Sequence, residues 1–253
     1  MSDNTRIDWA QATINPIGWG CYGPDGTAEQ PKRCPYCYAA RQARRRLRHC
    51  PDCQKFVPHE HPEELDKPAH WRKQRRIFVE SMGDLFGEGV AEGYLHEIFS
   101  RLQDNWHIKI ILTKQARRMC EILKRLERNH ELFYQVCRDD RFWFLTSITD
   151  QADASERIPW LLETPAAVKG MSIEPLLGPI DFQRIKVPTT EWSIRSQWIV
   201  VGAMTGPGSR KQAPKREWIG NIRQQCLGIG VPLFEKRSLA RYVDRPLVQQ
   251  FPG

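Results

Sequence analysis

The chain has 253 residues, 40% of them hydrophobic, enough for one full-sized core and too apolar for a fibre or a disordered tail. Its 38 Lys and Arg against 30 Asp and Glu leave a formal charge of +8, which favours polyanionic partners through counterion release. No apolar run of about eighteen residues occurs and Met1 to Arg6 lead into no apolar stretch. This argues against a membrane span and a secretory signal. The expected location is therefore cytoplasmic, where the eight cysteines read as metal ligands, catalytic thiols or small buried hydrophobes before disulfides.

In chain order, a first strand-like segment precedes Cys21, Cys34 and Cys37, and a helix is expected over about 37–47. Strand candidates follow at Ile77–Glu80, Ile108–Leu112, Phe142–Leu145, Val168–Ile173, Trp198–Gly202 and Pro232–Glu235. Helices are predicted between them at 91–103, 116–126, 152–163 and 215–227. That alternation predicts repeated βα units and a parallel sheet, an α/β fold. The irregular stretches 22–33, 49–69 and 185–196 read as insertions on it. In parallel α/β architectures the C-terminal strand ends build the site. The polar or small residues found there are Ser81-Met82-Gly83-Asp84, Thr113-Lys114, Ser147, Thr149, Asp150, Glu174, Ala203-Met204-Thr205-Gly206 and Lys236-Arg237.

Three thiolates from Cys21, Cys34 and Cys37 can hold three irons of a cubane iron–sulfur cluster and leave the fourth open to a small molecule. Two alternatives use zinc. Cys34-x2-Cys37 and Cys50-x2-Cys53 can be written as one four-thiolate site, although the helix-prone 38–47 segment between them argues against a knuckle. Cys50, Cys53, His59 and His61 can also form a separate zinc site, or be inert half-buried thiols. Cys120, Cys137 and Cys226 lie on helical patterns and read as core.

Several separated motifs carry a family resemblance: Ile7-Asp8-Trp9, Thr13-Ile14-Asn15-Pro16, Cys34-Pro35-Tyr36-Cys37-Tyr38-Ala39, His61-Pro62-Glu63, 77–86, Leu112-Thr113-Lys114, Thr149-Asp150-Gln151, 174–180 and Gly206-Pro207-Gly208. Together they resemble the phage and prophage three-cysteine proteins, a family similar to radical S-adenosylmethionine enzymes. The resemblance spans almost the whole chain. It implies a single domain over 1–253 folded as a partial (β/α) barrel of the radical S-adenosylmethionine type. In that fold Cys21, Cys34 and Cys37 would bind a 4Fe–4S cluster whose open iron chelates S-adenosylmethionine. An electron donor would reduce the cluster, and cleavage of the sulfonium would give a 5′-deoxyadenosyl radical. The chain departs from the usual CxxxCxxC spacing, because twelve residues, Tyr22 to Arg33, separate the first two cysteines. A loop insertion of that size costs little closure entropy. Tyr36 matches the aromatic that would pack near the adenine.

The resemblance also implies that Glu80 to Asp84 hold the methionyl amine, where a glycine lets the backbone approach; the bland reading makes Asp84 a helix cap. Lys114 would meet the cofactor carboxylate or a phosphate, or be an exposed lysine at a helix start. Ser147, Thr149 and Asp150 would bond ribose hydroxyls, with Asp150 also a candidate N-cap. Glu174 ends an apolar run and needs a partner or a ligand if buried, which together with Lys114 makes it the catalytic candidate. Finally, Arg41, Arg44, Arg45, Arg46 and Arg48 form a basic segment suited to a phosphate backbone, with Trp71 or Tyr22 for base stacking. The sequence thus points to a radical enzyme acting on a nucleic acid or nucleotide, by modification or lesion repair. The alternative is a zinc-containing nucleic-acid-binding protein without catalysis.

Overall fold

A computed structural model describes residues 5–46, 50–186 and 197–253, the side chains of 44–46 and 197 apart. Seven strands run parallel in one sheet: β1 (Ala12–Ile14), β2 (Arg76–Val79), β3 (Ile108–Thr113), β4 (Phe142–Ile148), β5 (Val168–Ile173), β6 (Gln197–Val201) and β7 (Leu233–Glu235). Their spatial order is their chain order, so each crossover steps to the next position in the same direction and the sheet curls into a half-barrel. The helices are α1 (Tyr38–Arg46), α2 (Pro51–Lys55), α3 (Glu92–Gln103), α4 (Ala116–Asn129), α5 (Glu131–Arg138), α6 (Gln151–Glu163) and α7 (Arg216–Ile229). The architecture is the expected partial (β/α) barrel, with the six strand candidates placed to within a few residues.

Differences fall in the insertions. The 49–69 stretch, expected as irregular, contains α2 and the start of a 3-10 helix over Pro62–His70. The helix predicted over 116–126 is α4, which runs on to Asn129; the backbone turns extended at His130 and a further, unpredicted helix, α5, follows. Of the third insertion, 187–196 lies outside the described residues. Among the described residues no helix is long and apolar enough to cross a membrane.

Strand alternation sorts the side chains into two cores. Ile77, Val79, Ile111, Phe144, Met171, Ile173, Ile199 and Val201 pack against the helices. Phe78, Ile110, Trp143, Leu145, Trp198, Val200 and Phe234 fill the concave side with Trp9. Trp9 lies 4.8 Å from Phe78 and 6.1 Å from Trp198, ring centre to centre. The C-terminal tail completes this plug: Phe251 stacks 5.5 Å from Trp198, and the Arg76 guanidinium sits 3.9 Å over Phe251. The N-terminal end of the half-barrel is thereby sealed with aromatic surface. The same alternation, carried past the C-terminal ends, brings Glu80, Lys114, Ser147, Ser172, Glu174 and Lys236 to the opposite mouth.

Candidate functional site

The segment from β1 to α1 crosses this mouth and carries Cys21, Cys34 and Cys37. Its long gap is closed at the base, where the Lys32 amide donates to the Tyr22 carbonyl at 2.7 Å. Gly23, at φ +97°, permits that closure, since a Cβ there would lie 1.9 Å from the Lys32 oxygen. The insertion is thus a pinched loop that returns Cys34 beside Cys21. The three half-buried thiols feel one another electrostatically. Two of them also receive a backbone donor: the Gly23 amide reaches Cys21 Sγ at 3.2 Å and the Ala40 amide reaches Cys37 Sγ at 3.4 Å. Burial first, then Asp84, pushes the Cys21 thiol up to about 12, against the pull of the Gly23 amide. Burial raises Cys34 as well, opposed by Lys114 and Arg157. Such thiols bind a metal only by giving up their protons to solvent.

The strand-end residues form a connected lining. Asn15 Oδ1 accepts from the Ser81 hydroxyl at 3.1 Å and the Met82 amide at 2.9 Å, while the Tyr38 hydroxyl donates to the Ser81 carbonyl at 2.5 Å. Glu80 is 1% exposed and held at φ 65°; its Oε2 accepts from the Ile17 amide at 3.0 Å, and its Oε1 has no partner among the described residues. Burial drives its carboxyl well above the usual range. Gly83 is required at its position, because a Cβ would stand 2.5 Å from the Gly20 oxygen and 2.7 Å from Glu80 Oε1. Asp84 caps no helix. Its carboxylate accepts from the Thr113 hydroxyl at 2.6 Å, the Phe86 amide at 3.1 Å and the Lys114 amide at 3.0 Å, tying the β2 exit to the β3 exit.

Lys114 is not a free surface lysine. Its ammonium donates to Ser147 Oγ at 2.8 Å and sits 5.9 Å from the Tyr36 ring centre. Arg157 donates to the Ser147 carbonyl at 2.8 Å and pairs with Asp153 at 2.7 Å. Thr149 and Asp150 are used locally: Asp150 caps α6 by accepting from the Asp153 amide at 3.0 Å, and the Thr149 hydroxyl donates to Asp153 at 2.7 Å. Glu174 is half-buried and pairs with the Lys236 ammonium at 2.5 Å. The Ser172 hydroxyl, 1% exposed on β5, has none among the described residues. The sequence placed Lys236 among the polar strand ends without a role, and gave no site role to Asn15, Tyr38, Arg157 or Ser172. For Ser172 and Lys236 the period-two pattern of β5 and β7 held the signal.

Beside the mouth, a second group assembles. Cys50, Cys53, His59 and His61 present ligand atoms that all lie within 4.8 Å of one another, and this group can hold a metal ion. Burial pushes the Cys50 thiol up, but the polar groups of Cys53, His61 and His59 around it outweigh that and bring it down to about 6. Cys34 and Cys37 belong to the other group, so the four-thiolate arrangement does not form. The two groups share one small apolar cluster of Trp19, Ala39, Ala43, Phe56 and Met82, with Cys53 buried in it and Cys21, Cys37 and Cys50 against it.

Residues 4–245 match a protein family described as protein of unknown function, DUF5131. The chain belongs to this family. No curated protein and no solved structure matches it. Of the basic segment, Arg41 lies on α1, its Nη2 3.7 Å from where a Cβ of Gly206 would be. Arg48 and the side chains of Arg44 and Arg45 fall outside the described residues. Trp71 is buried with the Arg75 guanidinium 4.8 Å over its ring, which removes it as a base-stacking platform. Cys120, Cys137 and Cys226 are buried core residues, as expected.

Proposed function

We propose that this chain is a radical S-adenosylmethionine enzyme whose 4Fe–4S cluster is held by Cys21, Cys34 and Cys37, acting on a nucleic acid or nucleotide. The observation that carries the reading is the placement of three half-buried thiols, two of them with a backbone N–H donor, at the polar mouth of a partial (β/α) barrel. Hydrogen bonds to the sulfurs are a recognised means of stabilising and tuning such clusters. The lining supports it too: Glu80 Oε1 and Ser172 Oγ are buried polar atoms with no partner among the described residues, as expected where a polar ligand supplies the missing bonds.

When bound, the reduced cluster and S-adenosylmethionine supply a 5′-deoxyadenosyl radical able to abstract hydrogen. The chain's own residues then have binding and orienting work. Glu80 and the Ser81 to Gly83 backbone would meet an ammonium, Lys114 and Arg157 would meet a carboxylate or phosphate, and Tyr36 would offer a ring face. The arginines of α1 would follow a phosphate backbone at the rim. A second reading, a zinc-containing nucleic-acid-binding protein without catalysis, is favoured by the Cys50, Cys53, His59 and His61 group alone.

Anaerobic purification separates the two. A brown protein containing iron and labile sulfide, which cleaves S-adenosylmethionine to 5′-deoxyadenosine under strong reductant, is the expected result. A colourless, iron-free protein with stoichiometric zinc would favour the second reading.

A further inference from the structure

We propose that Cys50, Cys53, His59 and His61 bind one zinc ion in a closed structural site, which clamps the β1 exit segment Pro16 to Gly20 beneath Cys21. The sulfur-to-nitrogen distances fit one ion. Each histidine Nε2 lies within reach of both sulfurs: His59 is 3.1 Å from Cys50 and 3.5 Å from Cys53, and His61 is 3.8 Å and 3.5 Å from them. Tetrahedral zinc with its normal Zn–S and Zn–N bonds requires sulfur-to-nitrogen edges of about 3.5 Å. A two-iron centre with mixed ligands would give the sulfur pair to one iron and the nitrogen pair to the other. Here the pairs interleave instead.

The imidazoles are oriented for ligation. His59 Nδ1 donates to the Val57 carbonyl at 2.8 Å, and His61 Nδ1 faces Glu63 Oε1 at 2.5 Å, the outer partners that fix a metal-binding tautomer. Both Nε2 lone pairs are then turned toward each other, 2.7 Å apart, an arrangement a shared cation relieves. All four ligands come from the protein, so no open position remains for catalysis.

The clamp is seen in what lies against these ligands. The His59 amide donates to the Ile17 carbonyl at 3.3 Å, the His61 amide to the Pro16 carbonyl at 2.6 Å, and the Trp19 amide to Cys53 Sγ at 3.3 Å. A Cβ on Gly18 would stand 2.7 Å from the His59 ring and 2.8 Å from the His61 ring, and one on Gly20 2.2 Å from the Pro58 nitrogen. The metal loop and the β1 exit therefore pack backbone to backbone, with Cys21 next in the chain.

The test uses the full chain and the metals alone. Purified protein should hold one zinc per chain by elemental analysis, and cobalt in its place should give the visible bands of a tetrahedral site with two thiolates. Cys53→Ser and His61→Ala should each lose that metal. Replacing Cys21, Cys34 and Cys37 together by serine should leave it at one per chain, whatever becomes of iron, so the zinc result is separable from the cluster reading. Chelation of zinc from the wild-type chain should lower its melting temperature and open the 16–20 segment to protease, which needs no variant to fold. Zinc lost together with the triad, iron found in place of zinc at this group, or an unchanged melt after chelation would overturn the proposal.

Discussion

The Lys236 ammonium meets the Glu174 carboxylate across Gly202, the residue between them on the sheet: a Cβ at Gly202 would lie 3.0 Å from the Glu174 Cδ and 3.0 Å from the Lys236 Cδ. The pair joins the ends of β5 and β7 over the end of β6. Lys236→Met should leave a mostly buried carboxylate unpaired and destabilise the chain by about 1–3 kcal/mol, less than a fully buried pair because both side chains keep some solvent contact. Adding Glu174→Gln should recover part of that loss, a coupling readable by a double-mutant cycle in urea. Additivity of the two changes would show that the pair carries no net interaction.

Iron should depend on the triad alone. Alanine at Cys21, Cys34 or Cys37 is expected to abolish iron retention after anaerobic reconstitution, whereas Cys120→Ala, in the α4 core, should keep it while costing stability. Elemental iron and visible absorption check both. Full iron in Cys21→Ala would remove the long-gap cysteine from the ligand set.

Glu80 should make stability fall as pH rises. Its folded carboxyl is raised by burial, then by Glu64 and Asp84, so the folded chain keeps a proton that the unfolded chain releases above the normal Glu range. Stability from this group is complete below that range and declines as pH climbs toward the raised folded value. Glu80→Gln should therefore gain on the wild type by about 1–3 kcal/mol at neutral pH and little at acidic pH. Urea midpoints at two pH values measure it, and a gap independent of pH would contradict the buried-proton account.

Lys109 acts with the opposite slope. Fully buried on β3, it donates to the Asn105 carbonyl at 3.1 Å, and burial with the nearby Arg141 brings its ammonium down to about 7. Between about 7 and the usual 10.5 the unfolded chain holds the extra proton, so stability rises with pH across that window. Lys109→Met should flatten the rise, read from the same urea series.

Nucleic-acid affinity should fall with salt by about 0.7–0.9 log units per phosphate contact per tenfold change. Neutralising Arg41, Arg44, Arg45 and Arg48 together should flatten that slope without changing iron content. No binding at low salt would move the substrate to a small molecule.

The chain's own order of residues determined the sheet. β-branched and aromatic runs such as Ile108–Leu112 and Trp198–Val201 recur between helical stretches, and period-two burial leaves few alternatives to parallel βα units. It also marked the cysteines and the polar strand ends, because those chemistries are rare and fall at strand exits. Tertiary structure decided the pairings, since these depend on distances through space. Cys50 and Cys53 share a spacing with Cys34 and Cys37, yet they turn to His59 and His61 because α2 and the Val57–His61 segment fold back on Pro16 to Gly20. Glu174 showed its need for a partner in its own sequence context, but Lys236 lies 62 residues away, and only curling of the sheet past Gly202 brings the two together.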